Sequence, residues 1–545
     1  MAGKRKSKAL KGSKTADSEQ VAVATARTLA IPELLYIIFS FSDAPELARS
    51  ARVCKNWSDR ALDELWRDLD SVFPLLELLM DSELVRAASR DSADLEVVSS
   101  ALANADWPRF HSYAKRVQFF HFDNLDTPLL EYGLMGSICL HHPYGPSLLP
   151  RLRRLDWSTG WSALLMIPFL SEDSTHLNLE LYSASDAQIK ETFNALRNRT
   201  LKLRTFRLDT KAFGAASESA LALWLEKMET LEILNLPPYY LSARILATIR
   251  TFPRLEIIDI TNIKSCYQYN DAGFPAAIPD GSFPSLVGFG LPVTPAAAQH
   301  LLFNSHTNFT GLTALRLHAP KDIKANQILS FTQQLAGHCP MINTIDLAFF
   351  LGPDFRSQGA AVLPIEILES LYPCKNINAL AIGNPLPLKL SPVDVGRDNM
   401  ARAWPRIRHL CLCSEPDFSF YVSEQMGNSL SIISVFASYL PHLLTLGLYF
   451  NGQDRVAFKG HLYPRYQFTQ LLTLLVGLSP IPKTHTCDLG FYLASLCSET
   501  VGVGYGRRTW REVTMPSDTA EREKAWEDVG ESMAFAMRVK LAGQN

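Results

Sequence analysis

A short run of the form apolar-x-x-apolar-x-apolar recurs along most of this chain, and its spacing limits what the chain can fold into. Clear copies are Leu152/Leu155/Trp157, Leu203/Phe206/Leu208, Leu231/Leu234/Leu236, Leu255/Ile258/Ile260 and Leu286/Phe289/Leu291. Five more are Leu312/Leu315/Leu317, Ile342/Ile345/Leu347, Ile377/Leu380/Ile382, Ile407/Leu410/Leu412 and Leu443/Leu446/Leu448. Weaker copies stand at Ala114/Val117/Phe119 and Ser174/Leu177/Leu179, so eleven intervals cover 329 residues, about 30 each. The last two apolar positions of each run share one face of a strand. Helical segments lie between runs, such as Ser219 to Met228, Ser242 to Thr251, Asn326 to Gly337, Ile365 to Tyr372 and Ile432 to Tyr439. Several are closed by Pro253, Pro340, Pro373, Pro405 or Pro441. A strand alternating with a helix at a fixed period buries its apolar face on its neighbours. The expected fold class is therefore α/β, an irregular solenoid with a parallel inner sheet. The chain's 79 leucines, about 14% of 545 residues, could produce some such spacings by chance, but twelve aligned copies make chance the poorer explanation.

The repeats are irregular, with intervals from 22 to 38 residues and Pro/Gly-rich insertions near 263 to 285 and 383 to 404. After Tyr449 the period fails. An apolar stretch from Phe468 to Leu478 follows, then a helix around Leu489 to Leu496, a strand around Thr500 to Tyr505, and a final helix beginning near Ser517 or Asp518. That helix carries Trp526, Val529, Met533 and Met537 on one face. Because the last repeat of a solenoid exposes an apolar end, residues 451–545 are expected to form a C-terminal helical cap.

The other end differs in texture. Lys4, Arg5, Lys6, Lys8, Lys11 and Lys14 face no acid within the first 14 residues, so residues 1–27 read as a disordered basic tail. Ile31, Leu34, Leu35, Ile38 and Phe39 then follow helical spacing behind Pro32. A second helix follows Asp43 and presents Leu47, Ala48, Ala51 and Cys54, and a third carries Ala61, Leu62, Leu65, Trp66 and Leu69. Three short helices in residues 28–75 cannot bury much of their own surface, so Phe39, Trp57 and Trp66 require cover from a partner or from the next domain. Pattern alone leaves a docking module and a mere cap on the following domain equally open. Residues 76–111 read as a helical linker, and the repeat domain spans 112–450.

Anchors for chemistry are missing. The sequence holds no Gly-Lys-Ser/Thr phosphate loop, Gly-x-Ser-x-Gly elbow or His-Glu-x-x-His helix. Gly502, Gly504 and Gly506 lie along an expected strand, away from any helix N-terminus that could face phosphate. His409, Cys411 and Cys413 alternate on one strand but have no evident fourth ligand, so neither a metal nor a cofactor is expected. The nine cysteines follow no disulfide or zinc spacing and read as reduced thiols. No apolar run approaches the length of a membrane span. With 53 basic and 55 acidic residues, a global field for nucleic acid is absent. On the expected concave strand face, Arg154, Asp156, Arg207, Asp209, Asn235, Asp259, Arg316, His318, Asp346 and Tyr449 are candidate contacts for a protein substrate, because their signs are mixed.

The segment Ile31-Pro32-Glu33-Leu34-Leu35, Ile38-Phe39, Leu47, Ala51-Arg52-Val53-Cys54-Lys55-Asn56-Trp57 and Leu65-Trp66-Arg67-Asp68-Leu69 resembles an F-box. It departs from the usual pattern at Ile31, where Leu is most frequent, and at Ser42, where an apolar residue often stands. With its irregular leucine-rich repeats, the whole chain is similar to the F-box/leucine-rich-repeat proteins common in fungi. The resemblance implies a non-catalytic substrate receptor, cytoplasmic and/or nuclear, that docks on the Skp-type adaptor of a cullin ubiquitin ligase while its repeats hold an unknown protein substrate. The adaptor-binding residues it implies are Ile31, Pro32, Leu35, Ile38, Phe39, Leu47, Val53, Cys54 and Trp57. A leucine-rich scaffold that binds the adaptor without delivering a substrate is the alternative.

Overall fold

The computed structural model describes residues 31–88, 95–123, 132–145, 147–159, 163–261, 274, 278–303, 309–319, 323–349, 362–384, 386–416, 427–452, 466–498, 501–506 and 515–542. The basic tail and Cys266 lie outside these residues. The chain divides into two compact units, Met1–Thr205 and Phe206–Asn545.

Unit 1 opens with helices α1 (Pro32–Ser40), α2 (Ala44–Ser50) and α3 (Lys55–Leu65). Pro32 suits the first turn of α1, and the Asp43 carboxylate caps α2 by accepting from the Glu46 N–H at 2.8 Å. The third helix ends at Leu65, short of Leu69, which belongs instead to strand β1 (Asp68–Leu69). The expected linker is helical, with α4 (Phe73–Leu76), α5 (Ser82–Ala88), α6 (Leu95–Ala103) and α7 (Trp107–Ala114). Then come β2 (Phe119–Asp123), α8 (Tyr132–His141), β3 (Arg154–Thr159), β4 (His176–Leu181) and α9 (Asp186–Arg197), and the four strands pair in parallel in chain order.

One run is out of register with its expectation. Phe120 and Phe122, not Phe119, align with Leu155 and Trp157 and are buried, while Phe119 pairs with Arg154 on the other face. The working run is therefore Val117/Phe120/Phe122, because a shift by an odd number of residues exchanges the two faces of a strand. Ser174, the polar first member of the next run, is fully buried, and its hydroxyl donates to the Leu152 carbonyl at 3.0 Å.

Unit 2 continues with β5 (Thr205–Thr210), α10 (Ala215–Leu225), β6 (Ile233–Leu236), α11 (Ala243–Ile249), β7 (Ile257–Ile260) and β8 (Gly288–Leu291). Next are α12 (Pro295–Phe303), β9 (Ala314–His318), α13 (Ala325–His338), β10 (Thr344–Ala348), α14 (Glu366–Glu369) and β11 (Ala379–Gly383). They are followed by α15 (Pro392–Val395), α16 (Met400–Ala403), β12 (His409–Leu412), β13 (Asn428–Ser429), α17 (Ile432–Tyr439), β14 (Thr445–Leu448) and β15 (Phe450–Asn451). From β6 each main-sheet strand pairs in parallel with the next, which produces a long sheet with a helical or turn segment in each crossover. The apolar pairs of the runs, such as Leu315/Leu317 and Ile345/Leu347, form its buried face.

Strand pairing does not stop at residue 450. β16 (Thr473–Gly477) and β17 (Gly502–Tyr505) extend the same sheet beyond β14. The run Leu471/Leu474/Val476 underlies β16, hidden in the sequence by the unbroken apolar stretch around it. Helices α18 (Thr486–Leu496) and α19 (Thr519–Ala542) close the chain. Trp526, Val529, Met533 and Met537 are all buried, and the Trp526 indole donates to the Ser479 carbonyl at 2.8 Å. Among the described residues no helix is long and apolar enough to cross a membrane.

Candidate functional site

Helix α1, PELLYIIFS, is apolar almost all round, yet it buries only Leu35 and Phe39. Those two join Leu47 and Ala61 in a small core, with Ala51, Trp57 and Leu65 packed around it. Phe39 and Trp57 meet edge to face at 5.6 Å, and Trp66 lies against Tyr113 of α7 at 4.8 Å. The large rings expected to need outside cover therefore find it within unit 1. Arg116 ties α3 down, donating to the Asp59 carbonyl at 2.9 Å and pairing with the Asp63 carboxylate. The Arg67 guanidinium holds Glu64 at 2.8 Å.

What stays open is a different set. Ile31, Tyr36, Ile37, Ile38 and Val53 are exposed, and Phe41, in the turn between α1 and α2, is 87% exposed. Monomer surfaces seldom gather this much apolar side chain in so few residues without a partner to cover it. Of the nine implied adaptor contacts, Ile31, Pro32, Ile38, Val53 and Cys54 are exposed, Trp57 is half-buried, and Leu35, Phe39 and Leu47 lie inside the module's own core. Tyr36, Ile37 and Phe41 were not among the nine. Their apolar character in a surface helix and turn was the available signal.

The candidate substrate-face residues form separate groups. In unit 1, the Arg154 guanidinium donates to the Asp156 carboxylate at 3.0 Å, and His121 bridges Asp156 at 2.7 Å and Asp68 at 3.3 Å. In unit 2, strand register places Asn235, Asp259, Gly290, Arg316 and Asp346 side by side. Because Gly290 has no side chain, Arg316 reaches over it to Asp259 at 2.6 Å while also holding Asp346 at 3.0 Å. A Cβ at Gly290 would stand 2.5 Å from an Asp259 oxygen. His318 adds a contact of 3.3 Å to Asp346. Desolvation raises the Asp346 carboxyl, but His318 and Arg316 outweigh it and hold the group below its ordinary range. Arg207 and Asp209 approach only to 3.9 Å.

Two of these candidates are not open to a partner. His318 and Tyr449 are each 1% exposed. Both come just after the buried apolar pair of their runs rather than between its members, and Tyr449 also lies beneath Arg522 of α19, whose guanidinium is 3.5 Å from its hydroxyl. The metal candidates separate as well. His409 Nδ1 engages the Thr445 hydroxyl at 3.1 Å, Cys411 lies 3.4 Å from the Ser414 hydroxyl, and Cys413 leaves the strand at φ 47°. Burial pushes the Cys411 thiol up to about 11. Among the described residues no group of three or more His, Cys, Asp or Glu is placed to hold a metal ion, and no disulfide forms.

The F-box-like family profile matches residues 32–71, the span that holds the three helices, their core and the exposed apolar set. No curated protein matches the chain.

Proposed function

We propose that this chain is the substrate-recognition subunit of a Skp-cullin-F-box ubiquitin ligase. An F-box domain suggests a Skp-binding adaptor, and such proteins are typically non-catalytic. The observation that carries the reading is the coincidence of the F-box-like match with an exposed apolar surface centred on Phe41. Ile31, Pro32, Ile38, Val53 and Cys54 would touch the adaptor, joined by Tyr36, Ile37 and Phe41. Leu35, Phe39, Leu47 and Trp57 would hold the helices in the shape that presents them.

Residues 112–450 would be leucine-rich repeats of a solenoid whose outermost strands reach into 451–545, and their polar strand positions would hold a protein substrate. Residues 1–27 would act as a basic tail in a cytoplasmic or nuclear protein. The receptor's contribution would be proximity, which raises the effective concentration of a substrate lysine near the charged ubiquitin carrier. Reconstitution tests this: purified chain, adaptor, cullin and ubiquitin-charging enzymes should transfer ubiquitin to a protein captured through residues 112–545. Capture without transfer would instead favour the adaptor-bound scaffold.

A further inference from the structure

The strand beginnings of unit 2 carry a pocket that differs in chemistry from the mixed-sign sheet face. It measures about 710 Å³ and is lined by Thr313, Met341, Asn343, Asn376, Asn378, Pro405, Arg406, Arg408, His442 and Gln470, with no carboxylate among them. Its floor is fixed by the sheet. The Asn343 N–H donates to the Thr313 carbonyl, Asn378 to Asn343, Arg408 to Asn378 and Leu444 to Arg408, at 2.7 to 2.8 Å. These residues are thus successive rungs, about 4.8 Å apart, which present their side chains as a row. Between the two arginines Ile407 is buried and anchors the turn, so both guanidiniums stand on one side of a pinned loop.

The two charges are uncommitted. Neither Arg406 nor Arg408 has a side-chain ion pair or hydrogen bond among the described residues, whereas Arg67, Arg116, Arg154 and Arg316 all do. Paired exposed guanidiniums suit a phosphate group, which accepts bidentate, charge-assisted bonds. The neighbours narrow the class further. Asn343, Asn376, Asn378 and Gln470 each bring an amide donor and acceptor, the complement of a peptide main chain, and Met341, 55% exposed, supplies an apolar contact. A nucleic acid would bring a phosphate with every nucleotide and needs more cations than two arginines supply.

We propose that this pocket binds a phosphorylated serine or threonine in a protein segment, with Arg406 and Arg408 as the phosphate ligands. Under the receptor reading above, on which this rests, the pocket would select phosphorylated substrates. The test is fluorescence anisotropy of the full chain with degenerate peptide libraries fixed at phosphoserine or phosphothreonine, their unphosphorylated copies, inositol hexakisphosphate and a single-stranded RNA. Phosphorylated libraries should bind at least about tenfold more tightly than their copies. Arg406→Gln with Arg408→Gln should abolish that margin, while Arg397→Gln with Arg402→Gln, elsewhere in unit 2, should preserve it. Equal binding of phosphorylated and unphosphorylated libraries overturns the proposal. So does preference for the inositol phosphate or the RNA, through Arg406 and Arg408, over every phosphopeptide. Adaptor capture is measured on the same samples: loss of phosphate preference with adaptor binding intact refutes the pocket alone, whereas wild-type chain that never binds adaptor refutes the receptor reading and leaves the pocket's result standing.

Discussion

Phe41 and Phe39 lie two residues apart and should behave in opposite ways. Phe41 is 87% exposed and touches no core, so Phe41→Asp should change fold stability by no more than about 0.5 kcal/mol, the usual span for surface changes. If Phe41 is covered by the adaptor, its burial there contributes about 1.5–3 kcal/mol, and loss of that term weakens the complex about 10- to 150-fold. Phe39 is 2% exposed, at the centre of a four-residue core and edge to face with Trp57. Phe39→Ala should cost about 3–5 kcal/mol, comparable to everything so small a core supplies, and melt residues 32–65 locally. Titration calorimetry with purified adaptor, run beside limited proteolysis of each full-length variant, separates the two. Phe41→Asp should lose affinity with its protease pattern unchanged, while Phe39→Ala should lose both. Wild-type affinity in Phe41→Asp would refute the docking surface, and parallel loss of fold and affinity in both variants would refute the division between contact and support.

Cysteine reactivity offers a second measure of the same surface. Cys54 is exposed, whereas burial pushes Cys339 and Cys497 up to about 12 and Cys374 up to about 11, so a maleimide at neutral pH should label Cys54 quickly and these three only on unfolding. Adaptor should protect Cys54, and unchanged labelling at saturation would place it outside the interface. A third expectation concerns acid. The Asp346 carboxyl lies below its ordinary value, so its ionised contacts stabilise the fold above about pH 4 and fade as pH falls through the depressed value. The stability difference between wild-type and Asp346→Asn, read from urea midpoints, should therefore shrink between about pH 6 and pH 3, and a constant difference would exclude this contribution.

Legibility from sequence followed the physics of each feature. The runs around Leu315 and Ile345 are read correctly because period-2 burial is a local property of one strand. Around residue 119 the same rule fails, because consecutive aromatics at Phe119, Phe120 and Phe122 offer two registers and only pairing with Leu155 and Trp157 selects one. The strand at 473–477 is missed for the related reason that apolar residues on both sides blur the alternation. Within the F-box-like segment, composition marks the helices but cannot divide Phe39 from Phe41. Core and contact residues are the same kind of side chain there, and only the packing of Leu35, Leu47 and Ala61 tells them apart.

The sheet face of unit 2 carries the corresponding lesson for charge. Asp259, Arg316 and Asp346 look like three independent contacts in the sequence, but the missing side chain at Gly290 lets one guanidinium satisfy two carboxylates on separate strands. Charges already engaged with one another are costly to recruit, since a partner must first break bonds that it then has to replace. Arg406 and Arg408 face no such competition, although their sequence neighbourhood, Pro-Arg-Ile-Arg-His, looks no more remarkable than that of Arg316. If the repeats grip a substrate by charge, the uncommitted arginines at the strand beginnings therefore offer more binding free energy than the mutually neutralised centre of the face.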